Sequence, residues 1–249
     1  MYENNCDDYL NERCRTFNSM VGTLDKNDSY NCSCCHNKGV VWTVRNDEIV
    51  ECSCPECFNV RRSLKLLKNS GLSELSFDNY NISYSWQKTV FDTVYKFAEN
   101  SSGQWLYIGG QSGSGKTHLC TAALRHMIYT CQRQAVLMKW AEVSKELKGI
   151  INESAYSEKM EYYKNADILY IDDFLKVKKG EYIKPADINL AFELIDHRYC
   201  SKLTTIISSE FSLDEIITAD EATGSRIKQM TGSYALNIIP DIRKNYRLR

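Results

Sequence analysis

Residues 110–117 read GQSGSGKT, which matches the phosphate-binding loop pattern G-x-x-x-x-G-K-[ST] at every fixed position. The glycines of such a loop let several backbone N–H groups point at phosphate oxygens, while Lys116 adds a positive charge and the Thr117 hydroxyl is a ligand for Mg²⁺. Residues 104–108 read as a short buried strand, and residues 116–129 have apolar residues at helical spacing. The stretch therefore predicts a strand, a phosphate-binding loop and a helix whose N-terminus faces the phosphates of a nucleotide. The residues expected to contact ATP or ADP are Gly110, Gln111, Ser112, Gly113, Ser114, Gly115, Lys116, Thr117 and His118.

A second stretch ends in two carboxylates. Residues 168–171 form the apolar run ILYI, and Asp172 and Asp173 follow it, about fifty residues after the loop. A buried parallel strand reads as a continuous apolar run, and its C-terminal end lies where nucleotides bind in open α/β sheets. We expect Asp172 to hold Mg²⁺ through water beside Thr117, and Asp173 to orient or deprotonate the attacking water.

Strand and helix patterns alternate along this part of the chain. Further short apolar runs occupy residues 134–139, 203–209 and 234–239, with helical patterns at 141–152 and 186–199. Each crossover between parallel strands returns along one face of the sheet. The alternation therefore predicts an α/β fold in which a five-stranded parallel sheet lies between helices.

Two more candidates for the nucleotide site come from the last third of the chain. Ser209, with Ser208 and Glu210, ends the fourth predicted strand and is expected to sense the γ-phosphate or to position water, although a simple strand end is the alternative. Arg226 is the best candidate for an arginine that stabilises charge on the transferred phosphoryl group of a neighbouring subunit, although an ordinary surface arginine is the alternative. The expected catalytic residues are thus Lys116, Asp172, Asp173 and Arg226.

The composition is that of an ordinary soluble protein, with 249 residues of which 43% are hydrophobic and 25% charged. No apolar run approaches the roughly 20 residues of a membrane-spanning helix, and the acidic start MYENNCDDYL is unlike a secretion signal. We expect a cytoplasmic protein with no membrane partner. Because the formal net charge is −1, contact with nucleic acid has to come from local basic clusters. Two such clusters are residues 241–249 and the group Lys176, Lys178 and Lys179.

Eight of the eleven cysteines lie in the first fifty-seven residues. In a reducing compartment, thiols clustered at short spacings favour a metal site over disulfides. The preferred ligand set is one C-x-x-C pair and one C-x-C pair, which suits tetrahedral Zn²⁺ around a short hairpin of residues 40–44 against 48–51. The four expected ligands are Cys32, Cys35, Cys52 and Cys54.

Alternatives to this ligand set remain open. Cys34, His36 and Cys57 are also available, and Cys54 with Cys57 is itself a C-x-x-C pair. The thiols could also be free or redox-active without metal. A closed site of four thiolates has no open position for catalysis, so its expected role is to fix a surface for a partner.

Taken together, these motifs resemble the DnaC/DnaI type of bacterial replicative helicase loader, close to the IstB-like transposition ATPases, within the AAA+ class of P-loop NTPases. The resemblance covers most of the chain. Its parts are C-x-x-C, Asn-Lys-Gly, C-x-C, the basic residues Arg61, Arg62, Lys65 and Lys68, and then SGLSELSFDNY, GQSGSGKTHL, ILYIDDF, HRYCSKLTTIISSE, GSRIKQM and NYRLR.

The resemblance implies three parts. Residues 1–70 are expected to form a zinc-bearing module that docks on the helicase, residues 71–100 a linker and a leading helix, and residues 101–249 the AAA+ ATPase domain. It assigns ATP and Mg²⁺ handling to the phosphate loop and the paired aspartates, and the arginine finger to Arg226. It also implies contact with single-stranded DNA in residues 140–165, through lysines and stacking aromatics. Those side chains are Lys145, Lys148, Lys159, Lys164, Trp140, Tyr156, Tyr162 and Tyr163. The alternative is that these aromatics lie in the core, as aromatics at helical spacing more often do.

The chain departs from the family pattern in three places. The sensor position falls within Ser209 and Glu210 instead of on Asn or Asp, and the second acid is Asp173 instead of Glu, which favours a slow switch over a fast motor. Only about forty residues follow Glu210, which leaves little room for a helical lid.

The leading hypothesis is an ATP-dependent helicase loader that binds the hexameric replicative helicase, delivers it to single-stranded DNA and self-assembles with ATP. The alternatives are an IstB-like regulator of transposition and a non-hydrolysing inhibitor that binds the helicase. A small-molecule kinase fits poorly, because it has no evident use for the cysteine module.

Overall fold

The structure, a computed structural model, describes residues 4–100, 102–178 and 180–248, with side chains from residue 8 onward. Lys179 and Arg249 of the two expected basic clusters, and the side chain of Cys6, lie outside the described residues.

The N-terminal part is a small module built on one hairpin. Helices α1 (Asn4–Ser19) and α2 (Asp25–Asp28) precede the antiparallel strands β1 (Val40–Arg45) and β2 (Glu48–Ser53), and helix α3 (Phe58–Asn69) follows them. The turn between the strands consists of Asn46 and Asp47, both with positive φ (47° and 59°), as a two-residue hairpin turn requires. This confirms the hairpin expected from the sequence.

The rest of the chain is a layered α/β domain. It contains α4 (Ser85–Asn100), β3 (Trp105–Gly110), α5 (Lys116–Cys131), β4 (Ala135–Lys139), α6 (Trp140–Gly149), α7 (Ser154–Lys164), β5 (Ile168–Asp172), α8 (Pro185–Cys200), β6 (Thr204–Ser208), α9 (Leu213–Ala219), α10 (Glu221–Thr231) and β7 (Ala235–Ile238). Short 3₁₀ turns occur at Gly232–Tyr234, Ile242–Lys244 and Tyr246–Leu248.

The five strands of this domain form one parallel sheet in the order β4-β5-β6-β3-β7. Side chains alternate between its faces, so that Leu106 and Ile108 of β3 join one buried cluster and Trp105 and Tyr107 join the other. Helices α3, α4 and α5 cover the first face, and α6, α7, α8 and α10 cover the second. The expected five-stranded parallel sheet between helices is confirmed.

The cysteine module packs directly on the layered α/β domain. Val60 of α3 belongs to the same buried cluster as Leu119 and Ile128 of α5. The Ser63 hydroxyl of α3 accepts a hydrogen bond of 2.9 Å from the backbone N–H of Ala135, at the start of edge strand β4. Burying one large aliphatic side chain contributes about 1.5–3 kcal/mol, so this shared core ties α3 to the helix that follows the phosphate loop. The division of the chain at residues 70 and 100 stays a prediction.

Among the described residues, no helix has the length and apolar character needed to cross a bilayer.

Candidate nucleotide site and zinc site

The phosphate loop joins β3 to α5, as the sequence predicted. Its backbone takes positive φ at Gly110 (108°), Gly113 (74°) and Gly115 (88°), a conformation that residues with a Cβ rarely adopt. At Gly110 a Cβ would also lie 2.3 Å from the carbonyl oxygen of Ile238, so space as well as conformation requires glycine there. The loop therefore curls tightly between β7 and the start of α5.

A cavity of about 370 Å³ lies over this loop. Of the residues expected to contact nucleotide, those that line it are Ser112, Gly113, Gly115, Lys116, Thr117 and His118. Gly110, Gln111 and Ser114 do not line it; the Ser114 hydroxyl instead donates to the carbonyl of Gln111 at 2.7 Å and holds the turn.

Lys116 is folded back over the loop. Its Nζ donates to the carbonyl oxygens of Gly110 and Gln111, both at 2.7 Å, and its side chain is buried. Burial lowers the pKa of Lys116, which the negative charges of Glu210 and Asp173 oppose. A buried ammonium group with only carbonyl partners is suited to bind phosphate oxygens, which would form stronger, charge-assisted bonds.

Asp172 gathers three hydroxyl groups on one carboxylate oxygen. Its Oδ1 accepts from Tyr170 at 2.5 Å, from Ser208 at 2.6 Å and from Thr117 at 3.1 Å. Burial raises the pKa of Tyr170 well above its ordinary value, so this hydroxyl stays protonated and donates. The acid at the end of β5 thus meets the phosphate-loop threonine, as expected for a pair that holds Mg²⁺. Carboxylate and hydroxyl oxygens are ligands that Mg²⁺ takes, usually with several waters and substrate phosphates.

Asp173 is engaged differently. Its backbone has positive φ (55°), and its N–H donates to the Ser208 hydroxyl at 3.1 Å. Its carboxylate pairs with Lys176 Nζ at 2.7 Å, and Lys176 also lies 3.3 Å from Glu210. Burial lowers the pKa of Lys176, but the carboxylates of Asp173 and Glu210 raise it by more. The net shift is upward, so the lysine is charged. Asp173 and Lys176 both line the cavity, as an ion pair beside the expected phosphate position.

The structure corrects the expectation for Ser209. This residue is fully buried and does not line the cavity; its hydroxyl donates to the carbonyl of Phe174 at 2.9 Å and accepts from Phe211 N–H. Successive residues of a strand point to opposite faces, and here it is Ser208 that points toward the acids. The sequence pattern indicated this strand end, and the structure places Ser208, in place of the predicted Ser209, against the two acids.

His118 links the loop to the segment before α4. Its Nε2 lies 2.9 Å from the carbonyl oxygen of Ser76 and 3.0 Å from Oδ1 of Asn79. The ring of Tyr80 packs edge-on against it, with the ring centroids 5.1 Å apart. The residues between α3 and α4 therefore form one wall of the cavity. The sequence SGLSELSFDNY in this segment is part of the family resemblance, but nothing in the sequence indicated that it lies at the nucleotide site.

Arg226 lies on α10, outside the residues that line the cavity. Its Nε pairs with Asp196 at 2.8 Å, and its guanidinium lies over the rings of Phe192 and Tyr199, 5.1 and 5.5 Å from their centroids. The arrangement holds the arginine on the α8–α10 surface of its own chain. A role in a neighbouring subunit's site stays a prediction.

The segment expected to contact DNA is largely engaged within the chain. Trp140 and Tyr163 are buried in the core, which excludes them as stacking platforms. Tyr156 donates to Glu193, and Lys164 pairs with the same carboxylate at 2.9 Å. Lys148 pairs with Asp187 and Lys159 with Glu146. The expectation of stacking by Trp140 and Tyr163 was wrong, because aromatics at helical spacing here face the sheet.

Four cysteines converge in the N-terminal module. All four are buried, and their sulfur atoms lie within 4.8 Å of one another. The Cys32–Cys54 and Cys35–Cys57 sulfur distances are 3.8 and 3.6 Å. A tetrahedral zinc ion with Zn–S bonds of about 2.3 Å places its sulfurs about 3.8 Å apart, so the spacing fits Zn²⁺.

Two donors around the sulfurs fit the negative charge of such a site. The N–H of Gly39 donates to Cys35 Sγ at 3.2 Å. Within the part of the chain that the structure describes, Arg61 Nε is buried without a hydrogen-bond partner, and the Arg61 side chain lies beside Cys57. Burial raises the pKa of Cys57, and Arg61 opposes that shift. A zinc-bound Cys57 thiolate would give this unpaired N–H an acceptor.

The ligand set expected from the sequence needs one correction, since Cys57 takes the place of Cys52. Cys52 lies in β2 opposite Val41, and its sulfur is 4.0 Å from the Thr43 hydroxyl. Residues two apart in extended chain, such as Cys52 and Cys54, are separated by about 6.6 Å. The C-x-x-C turn from Cys54 into α3 instead brings the sulfurs of Cys54 and Cys57 close together. Cys34 and His36 do not belong to the group.

Comparisons with known proteins agree with this geometry. The model of the family described as "Bacterial DnaA ATPAse domain" matches residues 73–234. The chain is similar to the phage-like element PBSX protein XkdC of Bacillus subtilis (strain 168), with 28% identity over 226 residues, 84% of this chain and 82% of that protein. It is also similar to the replicative helicase loader DnaI of the same organism, with 27% identity over 127 residues, 51% of this chain and 40% of that protein.

The fold is shared with a crystal structure of the DnaC helicase loader. The TM-score is 0.60 at 21% identity, over 69% of this chain and 99% of that one. The matched family region spans the segment before α4, the phosphate loop, both acids and α10. The chain belongs to the bacterial DnaA ATPase-domain family and has the AAA+ fold that it shares with the DnaC helicase loader.

Proposed function

We propose that this chain is an ATP-dependent helicase loader, which binds the replicative DNA helicase and helps to place it on single-stranded DNA. The observation that carries the proposal is a four-cysteine module packed, through α3, on the helix that begins at the phosphate loop. The likeness to the loader DnaI supports it. Because the nucleotide site is joined to a separate docking module, bound nucleotide could control how the chain binds its partner.

The proposed nucleotide chemistry uses residues that already lie together. Backbone N–H groups of the loop and Lys116 would bind the phosphates, while Thr117 and Asp172 would hold Mg²⁺. Asp173 would orient or deprotonate the attacking water. Because its carboxylate is paired with Lys176, we propose that the free protein hydrolyses ATP slowly and that a partner or DNA raises the rate.

The zinc module would present the surface that the helicase recognises. A structural zinc ion supplies folding energy where the apolar core is small, so its removal would unfold the hairpin and the turn into α3. The same proposal has three further parts. Zinc would bind at Cys32, Cys35, Cys54 and Cys57. The chain would self-assemble with ATP, with Arg226 as an arginine finger, and it would contact single-stranded DNA.

The proposal is tested by mixing the purified chain with the replicative helicase of its native cell and following complex formation by size-exclusion chromatography. We expect a complex in Mg·ATP that is lost when Cys35 and Cys57 are both changed to Ser, and weakened by Lys116→Ala. Independent elution of the two intact proteins at micromolar concentrations would contradict the loader role.

A second candidate is favoured by the Asp173–Lys176 ion pair, which gives the second acid a cationic partner that competes with its proposed role of binding the attacking water. This is an inhibitor that binds the helicase with ATP and does not hydrolyse it. Phosphate release separates the two functions: turnover stimulated by single-stranded DNA or helicase supports the loader, and tight ATP binding with no turnover supports the inhibitor. The IstB-like alternative predicts recruitment of a transposase in place of the helicase.

A further inference from the structure

The segment after β7 crosses over the phosphate loop. The N–H of Asp241 donates to Oε1 of Gln111 at 2.6 Å, and the N–H of Tyr246 donates to the carbonyl of Gly113 at 2.9 Å. A Cβ at Gly113 would lie 2.1 Å from Oδ1 of Asn245, so the loop and this segment are in van der Waals contact. Residues 241–248, which we call the C-terminal strap, thus rest on the part of the loop that is expected to surround phosphate.

The strap also reaches the opposite wall of the cavity. The Tyr246 hydroxyl donates to the carbonyl of Asn81 at 3.1 Å, which joins the strap to the segment before α4. The rings of Tyr80 and Tyr246 both approach Gly115: a Cβ there would lie 3.2 Å from Tyr80 and 3.7 Å from Tyr246. Two segments far apart in sequence therefore meet above the phosphate loop.

One polar group at this meeting point has no partner at hydrogen-bonding geometry among the residues that the structure describes. This is the buried Tyr80 hydroxyl, which lies 3.3 Å from the position of a Cβ on Gly115. Burial, and then the neighbouring Tyr246 of the strap, raise the pKa of Tyr80, so the hydroxyl stays protonated. Only 8% of Tyr80 is exposed, although the residue lines the cavity. An unpaired buried hydroxyl is costly, and a phosphate oxygen in the adjacent loop would be a strong acceptor for it.

We propose that the C-terminal strap closes over bound nucleotide, so that nucleotide leaves only when the strap opens, and that the Tyr80 hydroxyl donates a hydrogen bond to the nucleotide's phosphates. The inference rests on the nucleotide site of the proposed function. It adds that the strap and Tyr80 belong to that site and set the lifetime of the bound state.

The strap is tested by the dissociation rate of a fluorescent N-methylanthraniloyl-ADP, followed by stopped flow after mixing with excess unlabelled ADP. We expect release to be roughly tenfold faster or more when residues 241–249 are deleted, and also for Tyr246→Ala, since a lid that closes on its ligand acts mainly on dissociation. Ile239→Ala is the matched control, because this residue is 67% exposed and precedes the strap. If the shortened chain and Tyr246→Ala both release the nucleotide at the rate of the full chain, the proposal that the strap closes over nucleotide is overturned.

The Tyr80 contact is tested by calorimetric titration of Tyr80→Phe with ADP, because this change removes only the hydroxyl. We expect affinity to fall about tenfold, as for loss of a hydrogen bond to a charged group, with the melting temperature preserved. The control is Tyr182→Phe, at a side chain that is 91% exposed. Unchanged ADP affinity in Tyr80→Phe would overturn the contact.

The outcomes separate this inference from the proposed function. If the unaltered chain binds no nucleotide, the nucleotide site itself fails. If it binds nucleotide and the strap and Tyr80 variants match it in affinity and release rate, the site stands and the inference fails. Tyr246→Ala keeps the strap testable should the shortened chain not fold.

Discussion

The Ser208 hydroxyl lies 2.6 Å from Asp172 Oδ1 and donates to it, while accepting a hydrogen bond of 3.1 Å from the backbone N–H of Asp173. One side chain at the end of β6 therefore positions both acids at the end of the neighbouring strand β5. It orients the carboxylate of Asp172 toward Thr117 and fixes the left-handed backbone of Asp173.

Ser208→Ala should impair both the magnesium site and the fold. The change leaves the N–H of Asp173 unpaired, so we expect a loss of about 1–3 kcal/mol in the free energy of unfolding and roughly tenfold weaker binding of Mg·ATP. Denaturant unfolding and calorimetric titration with and without Mg²⁺ measure these quantities. Ser225→Ala, at an exposed serine of α10, is the control. Mg·ATP affinity equal to that of the unaltered chain would show that Ser208 does not position the acids.

The identity of the zinc ligands is tested by paired cysteine variants. We expect Cys52→Ser to keep about one zinc per chain and Cys57→Ser to lose it, because the Cys57 sulfur joins the buried group and the Cys52 sulfur does not. Zinc is measured in protein purified without added metal. The reverse pattern would restore the ligand set expected from the sequence.

Replacement of Arg198 should destabilise the fold strongly, although this residue lies in neither the nucleotide site nor the zinc site. Its guanidinium is fully buried and donates to the carbonyls of Tyr163, Ala166 and Thr204 at 2.7–3.1 Å. Burial lowers the pKa of Arg198 to about 9, so it is charged at neutral pH. Arg198→Met should cost at least about 3 kcal/mol in the free energy of unfolding, since several buried carbonyls lose their donor.

The matched control for Arg198 is Arg133→Met. Arg133 is 43% exposed and lies 3.5 Å from Asp167, a surface pair of the kind that contributes about 0–1 kcal/mol. Similar losses for the two variants, measured by urea unfolding, would contradict the role given to Arg198.

The N-terminus of α9 predicts a pH dependence. Ser212 N–H donates to Glu215 Oε2 at 2.6 Å, and the Glu215 N–H donates to the Ser212 hydroxyl at 3.3 Å. The backbone N–H of Ser212, and then its hydroxyl, lower the pKa of Glu215. A carboxylate with a lowered folded-state pKa stabilises the fold above its unfolded-state pKa of about 4.3, and this stability is lost as pH falls through the folded-state value.

Glu215→Gln should therefore be less stable than the unaltered chain at pH 7, and the difference should be smaller at about pH 3, below the unfolded-state pKa. The difference at pH 7 should be on the order of a few tenths of a kcal/mol, because the pair is exposed to solvent. Urea unfolding at the two pH values measures it. A difference that persists unchanged at the lower pH would contradict the assignment.

Much of the fold could be predicted because its signals are local. The pattern of fixed glycines, Lys116 and Thr117 places a helix start beside phosphate, and the apolar run before Asp172 reads as a buried parallel strand. The hairpin follows from two short runs around Asn46 and Asp47. In each case a few adjacent residues determine the local backbone.

The contacts that the sequence did not predict depend on packing between helices and strands. Choosing Ser208 over Ser209 requires the register of β6 against β5, and choosing Cys57 over Cys52 requires knowing where β2 ends and α3 begins. In the sequence Lys176 is one of several nearby lysines, and nothing there indicates that it pairs with Asp173. The placement of Tyr246 over Gly113 joins positions more than a hundred residues apart, which no local pattern reveals.

Binding of Mg·ATP by the phosphate loop and Asp172 is measured most directly by calorimetric titration of the zinc-loaded chain. We expect one ATP bound per chain, with affinity raised by Mg²⁺ and abolished by Lys116→Ala, while that variant keeps its zinc and its melting transition. An intact, folded chain that shows no heat of binding with either ATP or ADP would rule out this nucleotide site.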